Sequence, residues 1–314
     1  NTPFGNAITT AEHAIAMMFS LARQIPAADQ TTQAGMWEKS RFMGTELTGK
    51  TLGIIGCGNI GSRVAERALG LKMRVVASDP FLTADRAQDL GVEKVELEEL
   101  FQRADVITLH TPLTESTRDV LNKDAFAKMK DGILIINCAR GELVVEADIK
   151  SALEAGRVGG FAVDVFPTEP PENYSLFGMD NVVATPHLGA ATAEAQENVA
   201  LQVAEQMSDY LISGAVVNAI NMASVSAEDA PKLKPYMHLA ELLGGFAGQI
   251  IQTGLQSITI EYEGHAAGLN IKPLTACALK GVMAPAMESV NMVNAPVIAR
   301  DRDIGVSIVS HERE

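Results

Sequence analysis

Three side chains in the middle of the chain have the chemistry that hydride transfer at a 2-hydroxy acid requires. Arg140, Glu169 and His187 each lie in a short turn, within Asn-Cys-Ala-Arg-Gly, Pro-Thr-Glu-Pro-Pro and Thr-Pro-His-Leu-Gly. A guanidinium can grip a carboxylate and polarise the carbonyl beside it. An imidazole exchanges protons near neutral pH, and a carboxylate on its other nitrogen can fix its orientation. The trio therefore predicts a dehydrogenase site.

Each of these residues also has an ordinary interpretation. Arg140 would be a surface arginine, Glu169 a solvated turn glutamate and His187 a structural histidine. The remaining histidines are interpreted as structural or surface groups: His13, His110, His238, His265 and His311. Cys138 is interpreted as a buried strand-end cysteine rather than an activated thiol. Position favours catalysis for Arg140 and His187, because both follow predicted strands at the edge where open α/β sheets bind ligands.

The elements that must position these residues are strands and helices in alternation. Short apolar runs bounded by turns predict strands at residues 51–55, 74–77, 106–109, 133–136, 161–165 and 182–184. Their near-continuous apolar character is typical of a parallel sheet buried on both faces. Helical patterns lie between several of them. The sequence therefore predicts a doubly wound, Rossmann-like α/β domain.

Helices and a change of composition outline the rest of the chain. Thr9 and Glu12 have capping-box spacing, which predicts the start of a helix that continues until Pro26. We expect a domain over residues 1–190, a connecting helix over 191–216 and a partial α+β domain over 217–314. The elements expected in that last domain are a segment at 232–235, a helix at 239–251, a strand at 257–262, a helix after residue 273 and a strand at 305–309.

A glycine-rich turn follows the first predicted strand. Gly56 permits the tight turn, Gly58 lets a pyrophosphate approach the backbone and Gly61 lets helix and strand pack closely. Asp79 ends the next strand, where a carboxylate accepts hydrogen bonds from ribose hydroxyls and repels a 2′-phosphate. Pro80 follows it rather than an arginine, so NAD is predicted rather than NADP. The alternative is that the glycines serve only a packed turn.

The composition restricts the class of protein. With 314 residues and 47% hydrophobic residues, the chain is long enough for two domains with buried cores. A net charge of −14 without a Lys/Arg cluster argues against nucleic-acid and anionic-membrane partners. The three cysteines lack metal-ligand spacing, so we expect reduced thiols, no bound metal and a cytoplasmic protein. Both ends look cut.

Several motifs together resemble one family, the D-isomer-specific 2-hydroxyacid dehydrogenases. The resemblance lies in the segment from Trp37 to Leu47, in His110-Thr-Pro-Leu-Thr, in the turn that carries Arg140, and in the Asp164 and His187 segments. It is close over residues 1–216 and looser beyond. The first of these segments is similar to the members that oxidise D-3-phosphoglycerate in serine biosynthesis. The later part resembles the beginning of an intervening domain that long members carry.

The resemblance implies roles for individual residues. Arg140 would bind substrate, His187 would be the acid/base and Glu169 its partner, while Asp164 would receive the nicotinamide carboxamide. The positions implied to hold NAD are Gly56, Gly58, Asn59, Ile60, Gly61, Asp79, Thr111, Pro112, Cys138, Ala139, Arg140, Asp164, His187, Gly189 and Ala190. Family members pair through this domain, so the resemblance also implies a homodimer or tetramer.

Two other functions stay open. The chain could belong to another 2-hydroxyacid dehydrogenase, such as a glyoxylate or hydroxypyruvate reductase, or to an NADH-sensing, corepressor-like binding protein on the same fold. Family members also carry a lobe ahead of the position of Asn1 that supplies one wall of the cleft. We therefore expect this chain to bind NAD and to be a poor catalyst by itself.

Overall fold

The chain folds into two units in the computed structural model, which describes residues 1–251, 254–287 and 289–311. The first unit is Pro3–Val199. The second begins at Ala200 and also takes in Asn1–Thr2. Each unit has hydrophobic clusters of its own. The limits expected at residues 190 and 216 stay a prediction.

A parallel sheet forms the centre of the first unit. Its strands are β1 (Thr51–Ile55), β2 (Arg74–Ser78), β3 (Glu93–Lys94), β4 (Val106–Leu109), β5 (Ile133–Asn137), β6 (Val158–Val163) and β7 (Val182–Ala184). They pair in parallel in the order β3-β2-β1-β4-β5-β6-β7. The order reverses between β1 and β4, and open α/β sheets bind ligands at such a point. The predicted doubly wound α/β fold is confirmed.

Helices cover both faces of this sheet. They are α1 (Ala7–Arg23), α2 (Ile25–Gln33), α3 (Asn59–Gly70), α4 (Ala84–Leu90), α5 (Leu97–Arg103), α6 (Lys123–Lys128) and α7 (Glu146–Glu154). On one face, Met18 of α1 and Val64 of α3 pack with Leu52 of β1. On the other, Leu100 of α5 and Ile149 of α7 belong to the second cluster. Burial on both faces explains why the strands read as continuous apolar runs.

Three local expectations differ from the structure. The capping box at Thr9 is wrong, because α1 begins at Ala7 after Asn6, and the hydroxyl of Thr10 bonds to Asn6 O at 3.0 Å. β6 begins at Val158 rather than at residue 161, since two glycines that favour no strand lie inside it. β3 was not predicted, because it has only two residues and both are exposed. Short exposed strands leave no periodic signal.

The second unit contains a small parallel sheet beneath helices. After α8 (Ala193–Ser213) its elements are α9 (Ala230–Ile250), β8 (Ser257–Glu263), α10 (Ile271–Met283), α11 (Ala295–Asp301) and β9 (Gly305–His311). β8 and β9 pair in parallel. α9 and α10 pack so closely that a Cβ on Gly244 would lie 2.3 Å from Ala278 O. Within the described ranges, no helix is long and apolar enough to cross a membrane.

The elements expected in the second unit are mostly present, with shifted limits. The helix expected at 239–251 begins at Ala230 and includes Pro235, which sequence reasoning placed in a separate segment before the helix. Pro235 is the sixth residue of α9, where a proline removes the backbone hydrogen bond to residue 231 and crowds that carbonyl. Leu233, two residues before it, is buried. α11 was missed because it has seven residues and lacks a clear apolar period.

Candidate active site

The carboxyl edge of the large sheet gathers the predicted residues. Gly56 follows β1, Asp79 follows β2, and Arg140 and His187 lie beyond the ends of β5 and β7. A cavity of about 260 Å³ opens at this edge. Its lining includes these predicted residues: Ile60, Thr111, Pro112, Cys138, Ala139, Arg140, Asp164, His187, Gly189 and Ala190. The parallel topology thus brings turns that are far apart in the sequence together in one site.

The turn between β1 and α3 has the shape of a nucleotide-binding loop. Gly56 has a φ of 90°, and a Cβ there would lie 2.7 Å from the carbonyl carbon of His110. A Cβ on Gly61 would lie 2.1 Å from Gly56 O, so only glycine permits this packing. At Gly58, which caps α3 ahead of Asn59, a Cβ would meet no atom within 4 Å. Packing does not require glycine there, whereas a phosphate approaching the helix N-terminus would.

Asp79 holds the same turn from the side. Its Oδ2 accepts a hydrogen bond from the backbone N–H of Cys57 at 2.7 Å, and its Oδ1 accepts one from Phe81 at 2.7 Å. Burial raises the pKa of the Cys57 thiol to about 11, with Asp79 adding to the effect. The Cys57 thiol therefore stays protonated at neutral pH. The ribose contact expected of Asp79 stays a prediction.

His187 and Glu169 form a hydrogen-bonded pair. Nδ1 of His187 lies 2.6 Å from Oε2 of Glu169, and Oε1 of Glu169 accepts from the backbone N–H of Phe166 at 3.0 Å. Burial opposes ionisation of Glu169, but the bonds from His187 and Phe166 hold its pKa below the usual value. Glu169 is therefore ionised at neutral pH. With Nδ1 engaged, Nε2 is the nitrogen of His187 that remains for a ligand.

The turn that carries His187 is wrapped around the buried carboxylate of Asp164. Oδ1 accepts from the backbone N–H of Leu188 at 2.7 Å and from the Thr185 hydroxyl at 2.6 Å, while Oδ2 accepts from Gly189 N–H at 2.8 Å. His187 has a φ of 56°, in the left-handed region that non-glycine residues rarely adopt. The Asp164 carboxylate thus sets a strained turn that presents the imidazole.

The pKa of Asp164 reflects these contacts. Burial favours the neutral acid, but hydrogen bonds from His13, Thr185 and Leu188 lower the pKa below the ordinary value. Both carboxylate oxygens are already engaged by protein donors. A nicotinamide carboxamide would therefore share these oxygens, and the role expected of Asp164 stays a prediction.

Arg140 extends from a loop that Asn137 shapes. The buried Asn137 side chain donates from Nδ2 to Arg140 O at 2.9 Å and accepts at Oδ1 from Ala139 N–H at 3.1 Å. Arg140 itself is exposed, and its Nη1 donates to Ala139 O at 2.6 Å. Within the described part of the chain it forms no ion pair with a carboxylate. Its guanidinium therefore retains donors for an anionic ligand.

A second cavity, of about 540 Å³, is lined by both His187 and Glu169. Phe166 and Phe177 line it, with ring centroids 5.7 Å apart, together with prolines of the Glu169 loop. The cavity beside the imidazole is therefore partly apolar, while the His187 and Glu169 side chains remain 50% and 37% exposed.

Sequence reasoning missed the contribution of α1 to this site. Nε2 of His13 lies 3.2 Å from Asp164 Oδ1 and 3.1 Å from Thr185 Oγ1, and the Thr10 hydroxyl donates to Gly189 O at 2.8 Å. His13 was interpreted as structural or surface, whereas it supports the carboxylate beneath the His187 turn. The only signal was its position on the apolar side of α1. Long-range contacts of this kind leave no local pattern.

His13, Cys138 and Asp164 also bring three possible metal ligands within 4.8 Å of one another. Burial, reinforced by Asp164, raises the pKa of Cys138 far above neutral pH, so the thiol is protonated. His13 and Asp164 are already joined to each other and to Thr185 by hydrogen bonds that support the His187 turn. The absence of a bound metal stays a prediction.

His110 also lines the cleft. Its Nε2 lies 2.9 Å from Thr108 Oγ1, and its buried Nδ1 has no partner among the described residues. Burial lowers the pKa of His110 to about 4, so the ring is neutral at physiological pH. His110 cannot supply a positive charge to a phosphate, and its interpretation as a structural group fits these contacts.

Comparison with known families assigns the class of protein. Residues 15–189 match the family described as D-isomer specific 2-hydroxyacid dehydrogenase, NAD binding domain. The chain belongs to the D-isomer specific 2-hydroxyacid dehydrogenase family, and the cofactor of its first unit is NAD. Residues 232–314 match a second description, the D-3-phosphoglycerate dehydrogenase intervening domain.

Individual relatives are more specific. The chain is 44% identical over 308 residues to the D-3-phosphoglycerate dehydrogenase of Bacillus subtilis, which covers 98% of the chain and 59% of that relative. It is also 44% identical to the enzyme of the same name from Synechocystis, covering 98% of the chain and 56% of the relative. The chain thus spans under two thirds of the length of the curated relatives it matches.

Solved structures agree on the fold. A glyoxylate reductase from Paecilomyes thermophila is similar with a TM-score of 0.67 and 33% identity, covering 70% of this chain and 66% of that one. D-lactate dehydrogenase from Escherichia coli gives a TM-score of 0.62 and 36% identity, covering 67% of this chain and 66% of that one.

The three cysteines are free and buried, as the sequence indicated.

Proposed function

We propose that this chain supplies the NAD domain and the acid/base pair of an enzyme that oxidises D-3-phosphoglycerate to 3-phosphohydroxypyruvate, the first step of serine biosynthesis. The observation that carries the proposal is the 2.6 Å contact between His187 Nδ1 and Glu169 Oε2 beside the cleft. A general base must have one free nitrogen and a fixed orientation. Contacts at Nδ1 leave Nε2 for substrate.

The first unit fits NAD at its glycine turn. The open space beside Gly58 suits the pyrophosphate at the N-terminus of α3, and the carboxylate of Asp79 lies where the adenosine ribose would be held. Cys138 and Ala139 would form the wall beside the nicotinamide. When bound, NAD supplies the acceptor for the hydride that leaves C2.

His187 performs the proton step in this proposal. Its Nε2 takes the proton of the C2 hydroxyl as the C2–H bond breaks, and the carbonyl of the keto acid forms. Glu169 lies against Nδ1 and stabilises the imidazolium that results. Because the Asp164 carboxylate fixes the turn, the ring is oriented before substrate arrives.

Arg140 anchors the substrate carboxylate. Its exposed guanidinium retains donors and lines the same cavity as His187. A paired contact with the carboxylate would hold C2 at a fixed position and polarise the carbonyl of the product. His187 and Arg140 would therefore act on neighbouring oxygens of one small acid.

Two compounds are candidates for the substrate. D-3-phosphoglycerate is favoured because the two relatives at 44% identity carry that name and residues 232–314 match the intervening domain of the same enzyme. Glyoxylate is the second candidate, because a glyoxylate reductase shares the fold at 33% identity. The first unit alone would serve either.

The test compares both reactions with the full chain. One assay offers NAD with D-3-phosphoglycerate, and the other offers NADH with glyoxylate, each at high protein concentration with the product measured by mass spectrometry. We expect tight NADH binding in a fluorescence titration and slow formation of the phosphorylated keto acid. Faster reduction of glyoxylate would favour the second candidate, and NADH binding without either product would contradict both.

We also propose a cytoplasmic homodimer or tetramer, with a NAD domain over residues 1–190, a linking helix over 191–216 and an α+β domain over 217–314. Exposed apolar side chains support self-association, since Trp37 is 84% and Met43 is 82% exposed. The first family match ends at residue 189, which supports the limit at 190, and the second lies within the proposed last domain, at residues 232–314. Light scattering after gel filtration tests the oligomer, and limited proteolysis tests the limits.

A further inference from the structure

The backbone of the loop that carries Arg140 touches the backbone of the loop that carries Glu169. The contact lies at Gly141, where a Cβ would be 2.1 Å from the carbonyl carbon of Phe166 and 2.2 Å from the nitrogen of Pro167. Non-bonded carbon atoms normally lie about 3.5–4.0 Å apart. The φ of Gly141 lies outside the left-handed region and does not itself require glycine. The close contact therefore explains why this position has no side chain.

The Arg140 side of the contact is firmly held. Gly141 and Leu143 are buried in a short 3₁₀ turn. Behind this turn, the backbone N–H of Asp119 donates to Glu142 O at 2.9 Å, and that of Leu121 donates to Leu143 O at 3.0 Å. The turn can move back only by breaking these bonds, so an atom added at Gly141 would push on the opposite loop.

The Glu169 side of the contact is the side that can give way. The residues from Pro167 to Pro170 are exposed. The backbone N–H of Phe166 donates to Glu169 Oε1 at 3.0 Å, so the carboxylate is tied to the backbone that Gly141 touches. A displacement of Phe166 would therefore move the anchor of Glu169.

This anchor matters because the pair of His187 and Glu169 lies near solvent. Their side chains are 50% and 37% exposed, and ion pairs between exposed side chains contribute little to stability. The turn of His187 is fixed separately, by bonds to the Asp164 carboxylate. Within the described residues, Phe166 is the one donor besides His187 that holds the Glu169 carboxylate. The position of Phe166 thus decides whether the two halves of the pair meet.

We propose that Gly141 is a positioning residue of the acid/base pair. Its contact with Phe166 fixes the Glu169 carboxylate at the place where it meets His187. The residue touches neither substrate nor cofactor and acts through the neighbouring loop. This inference rests on the proposed function, in which His187 moves the proton and Glu169 stabilises the imidazolium.

The first test follows the Glu169 carboxyl group by NMR in the full chain. Burial raises the pKa of Glu169, and the bonds from His187 and Phe166 lower it by more. Gly141→Ala should weaken both bonds. We therefore expect the carboxyl pKa to rise by at least about 0.5 unit and the Phe166 amide to exchange at least about tenfold faster. Gly70→Ala is the control, since a Cβ there meets no atom within 4 Å and neither value should change.

A carboxyl pKa that is unchanged in folded Gly141→Ala would overturn the proposal. Folding is checked by circular dichroism. If that variant is unfolded, Leu143→Val takes its place, because Leu143 is fully buried in the same turn and a smaller side chain lets the turn move away from Phe166. We then expect the Phe166 amide to exchange at least about threefold faster, and unchanged exchange would overturn the proposal.

The second test asks whether Gly141 acts through Glu169. Turnover of D-3-phosphoglycerate is measured by mass spectrometry for the wild type, Gly141→Ala, Glu169→Gln and the double variant. We expect Gly141→Ala to lower turnover at least about tenfold in the wild type and less than about twofold in Glu169→Gln. NADH affinity should stay within about threefold throughout. Additive losses would show that Gly141 acts elsewhere and would overturn the proposal.

Failure of the proposed function would give a different result. If none of the four proteins forms the keto acid, the proposed function is contradicted. The titration of Glu169 and the exchange of the Phe166 amide require no turnover, so they still decide the role of Gly141.

Discussion

Both units have main-chain polar groups at the border of a parallel sheet. In the first unit these groups are bonded to side chains of the same unit. At the carboxyl edge of the large sheet, Asp164 accepts bonds from Thr185, Leu188 and Gly189, and Asn137 bonds to its own loop. Along the outer side of β8, the corresponding groups have no strand beside them in the described part of the chain.

This difference matters at a catalytic site. A catalytic cleft must hold side chains within a fraction of an ångström, so its support is complete before the ligand arrives. The first unit thus holds its reactive side chains in place by contacts within the unit.

The largest effect is expected from adding a side chain at Gly61, in the tight turn between β1 and α3. Gly61→Ala would place a Cβ 2.1 Å from Gly56 O, and we expect it to destabilise the first unit by about 3 kcal/mol and to abolish NADH binding. Gly70→Ala is the control, since a Cβ there meets no atom within 4 Å. Urea unfolding measures both, and equal stability of the two variants would contradict the account.

A comparable loss of stability is expected when the carboxylate beneath the His187 turn is replaced. Asp164→Asn should lower the free energy of unfolding by about 2 kcal/mol, because a neutral amide cannot accept all the bonds that the buried carboxylate accepts. Asp180→Asn is the control, since that side chain is 78% exposed and the change should stay within about 0.5 kcal/mol.

The role of the Asp164 carboxylate also predicts how stability changes with pH. The folded pKa of Asp164 is lowered, so its stabilisation is complete above the unfolded value of about 3.9 and is lost as the pH falls below it. The free energy of unfolding of the wild type should therefore fall more through this pH range than that of Asp164→Asn. Parallel curves for the two proteins would contradict the role given to Asp164.

A smaller effect is expected at the open glycine of the turn. Gly58→Ala adds a Cβ that meets no protein atom within 4 Å, so the stability should be nearly unchanged. The same methyl group would lie where a pyrophosphate approaches, and we expect NADH affinity to fall at least about tenfold. Isothermal titration measures it. Unchanged affinity would mean that the phosphate lies elsewhere.

Sequence reasoning succeeded where local pattern and buried packing agree. The strands of the large sheet are continuous apolar runs because both faces are covered, and the turns after them carry the reactive residues. The contact between Glu169 and His187 was expected from their chemistry and is present at 2.6 Å. Those features rest on residues near one another or on a regular topology.

The parts that escaped prediction depend on distant contacts. His13 meets Asp164 across 151 positions of the chain, at 3.2 Å, and no period or motif marks such a pair. The left-handed backbone of His187 is imposed by bonds from Leu188 and Gly189 to Asp164 rather than by its own preference. The beginning of α9 was missed because tertiary packing outweighs the local signal of Pro235.

The central claim is that His187 moves the proton while the rest of the first unit holds NAD. The direct measurement is turnover of D-3-phosphoglycerate by His187→Asn, alongside NADH affinity of the same protein. We predict a loss of turnover of at least about a hundredfold, with affinity unchanged within about twofold. Turnover close to that of the wild type would contradict the account.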